Sequence, residues 1–431
     1  EIDAELIKLP EKSLSELQQE NKACQVKISA IDAELLTFSK HINTLKTSLL
    51  KIQNEFEFSK VVLHTESAVE NKLMMLEGWV PQEKEKPLNA YLQETGVFYE
   101  TEVPKEEDKV PVLLKNNRFA RLYESIGELY DLPNYHEIDL TPFFAPFYML
   151  FFGLCLGDAG YGLLLVLVSI FARKKVKKEL KPVLSLVTWL GSATVIMGII
   201  SGTFFGINLI ESDIFFLKDL KKIMLDSNQL FYLSLCIGFV QVMFGMIIKA
   251  VGLVHRYGWQ KSFSTWGWII IILGCGSTYG LLTIEKISLQ SANIAYYIFG
   301  GIGSLFIFLL NDVKRNPLIN IGSGLWDTYN MATGFMGDIL SYVRLFALGI
   351  SGAAMGFVFN DLAVNLSGNI PVLSQILMLL ILIVGHGINI FMSGLGSFVH
   401  PMRLTFVEFY KNSGFEGGGK KYNPFKLKVK S

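Results

Sequence analysis

Two arginines stand where the chain is otherwise built to be apolar. The stretch Asp327 to Asp361, DTYNMATGFMGDILSYVRLFALGISGAAMGFVFND, is long enough to cross a bilayer, yet it carries Asp338 and Arg344. At ~1.5 Å per residue Arg344 lies about 25 Å along a helix from Asp327, too deep to snorkel easily to either interface. Burying such a charge costs at least ~2.5 kcal/mol, which marks it as functional. Asp338 is six positions earlier and about 120° round the helix, so the two do not pair readily within it. Arg344 shares its face with Ser341, Gly337, Leu348 and Ser351 and, farther back, with Asn330. A second arginine, Arg403, follows in SFVHPMRLTFVEF, with His400 and Asn389 on its face, Ser393 less well aligned and Glu408 pointing elsewhere. Arginine keeps its charge at every accessible pH. A fixed charge of this kind can expel a proton or sodium ion from a carboxylate moving past it and block a leak between the two sides. The plainer alternatives are structural glue for Arg344, an interfacial anchor for Arg403, and close helix packing for the small residues at Gly349, Gly352, Ala353, Ala354, Gly356, Gly394 and Gly396.

The elements that must position these residues are membrane helices. The 431 residues are 51% hydrophobic and only 18% charged, which places the chain in the membrane class. Lys and Glu taken together fall mostly before residue 135, so the zero net charge describes neither part and points to no nucleic-acid partner. Apolar runs at 142-156, 158-173, 183-206, 230-251, 264-282, 292-310, 328-361 and 371-411 predict about eight spans, the last two long, with the first pair short and joined by GDAGYG, open to a re-entrant reading. Eight crossings put both chain ends on one side. The basic loops 172-182, 249-261 and 313-317 and the tail KKYNPFKLKVK share that side, which should be the cytoplasm; loop 211-228 balances its lysines with acids on the other.

Ahead of the spans, Leu14 to Phe56 repeats apolar residues at steps of three and four, a coiled-coil seam whose partner helix must come from another chain or a preceding segment. EGWVP then reads as a strand, LNAYLQETG as a helix closed by Gly96, VFYETEVP as a second strand, KEEDKVP as a linker and RFARLYESIGELYDLP as an amphipathic helix. The expected fold is an all-α polytopic membrane domain with a cytoplasmic coiled-coil arm and a partial α/β lobe. Its divisions are 1-75 (arm), 76-140 (lobe and connecting helix), 141-412 (transmembrane) and 413-431 (cytoplasmic tail).

Other chemistry finds little support. The four cysteines have no ligand or disulfide spacing. GFEGGGKK nearly matches a phosphate loop, but it has Lys421 where the hydroxyl belongs, follows a membrane helix rather than a strand, and is rejected as a nucleotide site. No hydrolytic triad is evident, so no catalytic, cofactor or metal site is expected on this chain, and any ATP chemistry sits on another polypeptide. A secondary ion or solute transporter with a regulatory coiled coil is the alternative class; it calls for internal repeats of spans and a self-contained substrate site, and neither is found.

LEGWVP (76-81), FFGLCLGDAGYG (151-162), YVRLFALGISGA (342-353), HGINIFMSGLGSFVHPMRLTFVEF (386-409) and FEGGGKKYNPF (415-425) together resemble the membrane stator subunit of V/A-type rotary ATPases, subunit a or I. The resemblance covers most of the chain in family order. It implies that Arg344 and Arg403 face a ring of proteolipid (c/K-type) rotor subunits, and that H⁺ or Na⁺ passes at that interface through two offset half-channels. Asn330, Ser341, Ser351, Asn389, Ser393, His400, Glu408 and Asp338 are the candidate supporting residues. It also implies peripheral-stalk (E/G-type) and central-stalk (d/C-type) partners, and an arm of two antiparallel helices of which this chain holds the returning one. Eukaryotic relatives carry His at the position of Gly352 and Glu at that of Ser393, both tied to the outer half-channel. Their absence implies a bacterial or archaeal plasma-membrane protein.

Overall fold

The computed structural model describes residues 13–68, 73–105, 108–209, 221, 224–310, 317–366 and 373–427. The chain divides into two compact units: one takes the chain up to Glu102 together with residues from Tyr422 onward, and the other is Val103–Lys421.

The first unit is dominated by α1, Leu14–Leu63. Ser13 starts it with a capping box: the Glu16 N–H donates to the Ser13 hydroxyl at 3.3 Å, and the Ser13 N–H donates to Glu16 Oε2 at 2.9 Å. None of its 50 residues is buried. The seam is open, with Leu45 67% and Ile52 62% exposed. A two-stranded antiparallel hairpin follows, β1 (Glu66–Ala68) against β2 (Leu73–Met75). The strand expected over EGWVP is thus displaced toward the N-terminus, and neither residues 76–81 nor VFYETEVP forms a strand. The helix between them, α2 (Gln82–Glu94), begins before Leu88 and runs through Pro87. It has no buried residue, so water can take the carbonyl that proline frees. Gly96 closes it at φ +70°.

The second unit opens with β3 (Pro111–Val112) and a short α3 (Arg121–Gly127), less than half of the amphipathic run expected there. Tyr123 and Ile126 of α3 are buried with Phe144, Tyr148 and Phe152 of α4 (Thr141–Leu156) in the main core. The chain breaks after α4 at Gly157, which is left-handed at φ +56°, and restarts with Asp158 as the cap of α5 (Ala159–Lys175). Then come α6 (Lys181–Ser201), the tight hairpin β4–β5 (Thr203–Phe204 and Ile207–Asn208), α7 (Ser227–Tyr257), α8 (Phe263–Thr283), α9 (Leu289–Phe308) and the 50-residue α10 (Pro317–Leu366). The last long helix, α11 (Leu373–Arg403), passes through a π-helical turn (Leu404–Phe409) into α12 (Tyr410–Ser413), and β6 (Lys420–Lys421) pairs in parallel with β3.

Among the described residues, six helices are long and apolar enough to span a membrane, with α6 through α11 as their frames. The α4 and α5 pair falls short of that length. The two are not joined side by side; each flanks α6, and the break between them is level with the end of α6, where a Cβ on Gly198 would lie 2.6 Å from the Ala159 Cα. Loops 211-220 and 313-316, part of the charge argument above, lie outside the described residues. Arg256 at the end of α7 pairs with Glu137 before α4 and Glu416 after α12, which brings those three termini to one end of the unit.

Candidate functional site

Helices α10 and α11 run antiparallel along one seam, where Asn389 meets the Gly352 carbonyl and His386 meets Asn360. Midway are the two arginines. Arg403 is exposed and continues an outward apolar face of α11 that includes Phe391, Leu395 and Val399. Arg344 is half-buried beside exposed Leu340. Neither has a carboxylate within 4 Å among the described residues, which excludes the structural-glue pairing of Arg344 with Asp338. His400 lies three residues before Arg403 on α11, and its Nδ1 is buried without a hydrogen-bond partner among the described residues.

Toward one end of the seam, Asp338 is buried and meets the segment after the π-turn: Asn412 Nδ2 donates to its Oδ2 at 2.7 Å and Lys411 Nζ lies 3.7 Å from its Oδ1. Glu408, 2% exposed, lies near Ser341, whose hydroxyl donates to the Gly337 carbonyl at 3.1 Å, and its Oε2 is buried without a hydrogen-bond partner among the described residues. Glu408 and Arg403 point to different sides, as helical spacing predicts, but the reason includes a π-turn that spacing does not reveal. Pro401 has no N–H for the Ser397 carbonyl, the Thr405 hydroxyl donates to the Pro401 carbonyl at 2.9 Å, and the Tyr410 N–H bonds five residues back to Thr405.

Toward the other end runs a hydrogen-bonded chain from Ser393 to the Phe205 carbonyl. The Ser393 hydroxyl donates to Asn389 Oδ1 at 2.9 Å, and Asn389 Nδ2 donates to the Tyr161 hydroxyl at 2.9 Å and to the Gly352 carbonyl at 3.0 Å. The Tyr161 hydroxyl lies 2.7 Å from His386 Nδ1, and His386 Nε2 lies 3.0 Å from Asn360 Oδ1, whose Nδ2 donates to the Phe205 carbonyl at 2.8 Å. Asp158 anchors this chain. Its carboxylate accepts the N–H groups of Gly160, Tyr161, Phe205 and Gly206 at 2.8 to 3.1 Å, tying the α4–α5 break to the β4–β5 turn. Close approach finishes the assembly: a Cβ on Gly349 would stand 2.6 Å from the Leu154 carbonyl oxygen.

Of the candidates from sequence, the structure gathers Ser341, Asp338 and Glu408 at one end, His400 with the arginines, and Asn389 and Ser393 at the other. Asn330 and Ser351 are exposed and outside these groups. Sequence reasoning missed Tyr161, His386, Asn360, Lys411 and Asn412; the polar breaks GDAGYG and HGIN were the available signals. The rejected phosphate loop is filled by the chain's own carboxylates: the Glu416 N–H donates to Glu137 at 2.8 Å, the Gly418 N–H to Asp131 at 2.7 Å, and Lys421 pairs with Glu128 at 2.6 Å.

A profile of the V-type ATPase 116 kDa subunit family matches residues 4–215. Over 93% of its length the chain is 31% identical to A-type ATP synthase subunit I of Methanocaldococcus jannaschii, covering 63% of that protein. The profile covers just under half of the chain, and the likeness is to subunit I of A-type and V-type ATP synthases. The likeness extends to V-type ATP synthase subunit I of Borreliella burgdorferi, 26% identical over 91% of the chain and 66% of the relative, and to A-type ATP synthase subunit I of Pyrococcus abyssi, 32% identical over 81% of the chain and 53% of the relative. The chain thus spans just under two thirds or less of the length of each of these relatives. It is a multi-pass membrane protein, mostly helical, with several helices long and apolar enough to span among the described residues. Gly352 and Ser393 are in contact, since a Cβ on Gly352 would lie 3.0 Å from the Ser393 hydroxyl.

Proposed function

We propose that this chain is the membrane stator subunit of a V/A-type rotary ATPase and that H⁺ or Na⁺ moves along the α10–α11 seam. One observation carries the reading: two arginines without a carboxylate partner among the described residues sit between two separate polar groups on a single seam. From Asp338 to Asn360 is about 33 Å at ~1.5 Å per residue, close to the ~30 Å hydrocarbon thickness. Arg344 stands about 9 Å from the Asp338 end, so a barrier there leaves a short polar path on one side and a longer one on the other. The Asp338, Ser341 and Glu408 group serves as the inner half-channel and the Ser393, Asn389 and His386 chain as the outer one. A buried carboxyl without a cation, such as Glu408, is suited to hold a proton.

In this reading the apolar face of α11 with Arg403 meets the proteolipid ring, whose carboxylates carry the ion. ATP hydrolysis sits on other chains, and this one is not catalytic alone. The α4 and α5 pair, reaching the depth of α6, makes two of eight crossings, which sets α1 and the tail together on the cytoplasmic side. The open seam of α1 takes a second helix to form the arm that meets E/G-type stalk subunits, and the d/C-type adaptor bears on the ring. Purification in detergent tests the assignment. The stator comes out with a proteolipid ring and nucleotide-binding subunits, and isolation of the full-length protein alone, under conditions that keep such complexes whole, refutes it.

A further inference from the structure

We propose that a cleft at the C-terminal end of α7 binds the headgroup of an anionic phospholipid. The cleft has a volume of about 270 Å³ and is bounded by the end of α7, the segment before α4 and the first residues after α12. Its floor is apolar, with Leu140 4% and Ile248 8% exposed, and Ile138 and Leu253 continue the wall. Its rim is cationic, formed by Lys249, His255 and Arg256.

The acids in the cleft are already engaged. Glu137 takes Arg256 at 3.4 Å and the N–H groups of Glu416 and Gly417 at 2.8 and 3.2 Å; Glu416 also faces Arg256, at 3.7 Å. Lys249 and His255 are exposed and have no carboxylate within 4 Å among the described residues. The two acids and the two fixed cations balance, but both acids are turned to Arg256, so Lys249 and His255 are left at the rim as donors that no internal ion pair occupies. The Lys249 stem packs on Gly414, whose Cβ position lies 3.1 Å from Lys249 Cγ, so backbone at φ +70° with no side chain gives the stem its berth.

The level of the cleft names the ligand class. Tyr257 and Trp259 at the end of this spanning helix are 56% and 63% exposed, and Lys261 lies 4.9 Å over the Tyr257 ring, the composition of a membrane–water interface. Free phosphate would use the rim but has no use for the apolar wall below it. A phospholipid uses both, and basic pockets beside membrane helices favour anionic headgroups.

The test is native mass spectrometry of the complete detergent-purified complex after exposure to mixed micelles containing phosphatidylglycerol, with phosphatidylcholine micelles in parallel. Wild type retains a phosphatidylglycerol that Lys249→Ala/His255→Ala binds about 30-fold more weakly, from roughly fivefold per basic group. Leu253→Trp, which fills the wall without changing charge, loses the same adduct, and millimolar inorganic phosphate does not displace it from wild type. Lys174→Ala/Lys175→Ala, on another basic loop, keeps it. Equal retention by wild type and both cleft variants overturns the proposal. So does displacement by phosphate with Leu253→Trp unaffected, which would make the rim a simple anion site.

Discussion

Replacing Arg344 with alanine should leave the protein folded and destroy its coupling. The guanidinium has no carboxylate partner within 4 Å among the described residues and is only half-buried, so its loss breaks no ion pair and leaves no orphaned acid. Stability should change by less than about 1 kcal/mol, the scale of exposed charge changes. Transport is another matter. A cation passing about 4 Å from a fixed charge meets a repulsion of about 4 kcal/mol at an effective dielectric constant near 20. Removing that barrier should speed leakage between the two polar paths about a thousandfold, at ~1.4 kcal/mol per decade. The assay is the complete complex in proteoliposomes, with ATP-driven ion uptake and passive ion efflux measured on the same preparation. The expected result is no net uptake, raised efflux, and a subunit composition like wild type. Full ATP-driven pumping by Arg344→Ala would falsify the role given to this residue, and so would loss of pumping with unchanged efflux and a disassembled complex.

Arg403→Ala should lower uptake less completely than Arg344→Ala, because Arg403 stands on the exposed face; a wild-type rate would reduce it to an anchor. Asn389→Leu leaves the Gly352 carbonyl and Ser393 hydroxyl without their partner and should cost about 1–3 kcal/mol, read as a lower thermal midpoint in detergent; an unchanged midpoint means water replaces the amide. Gly349→Leu forces a side chain against the Leu154 carbonyl and should destabilise by about 1–3 kcal/mol or displace α10, measurable by thermal melting and by loss of uptake. Arg256→Ala frees Glu137 and Glu416 and should speed proteolysis within residues 414–421 while uptake persists; unaltered cleavage would show that the tail is held by its glycine N–H bonds alone.

Much of this was legible because membrane helices announce themselves by length and apolarity, and because a charge inside one is conspicuous. Arg344 and Arg403 needed nothing more. The α4–α5 break was visible as GDAGYG, but its meaning was not: whether Asp158 carries an ion or caps a helix depends on four N–H groups, two of them from a turn some 47 residues later. Asp338 illustrates the opposite limit. Helical geometry correctly separates it from Arg344, yet its actual partners, Lys411 and Asn412, come from a different helix and could not be read from spacing along its own. Glu408 lies between these cases, placed off the arginine face by a count of residues, while the π-turn that presents it arises from Pro401 and Thr405 acting on the backbone. The strands expected near Trp79 failed because a strand needs a neighbour, and the hairpin partners lie just upstream.

That π-turn makes the last helix a rod with two phases. It is one residue longer than the α-helical turn it replaces, so the count of residues after it is offset from the count before it by about 100° at 3.6 residues per turn. Arg403 lies on an outward face and Glu408 is buried, a separation that α-helical spacing already gives, and the turn resets the count of residues for Lys411 and Asn412 beyond it. Deleting a single residue from Leu404–Phe409 would convert the turn to α-helix and leave the flanking surfaces facing as they do.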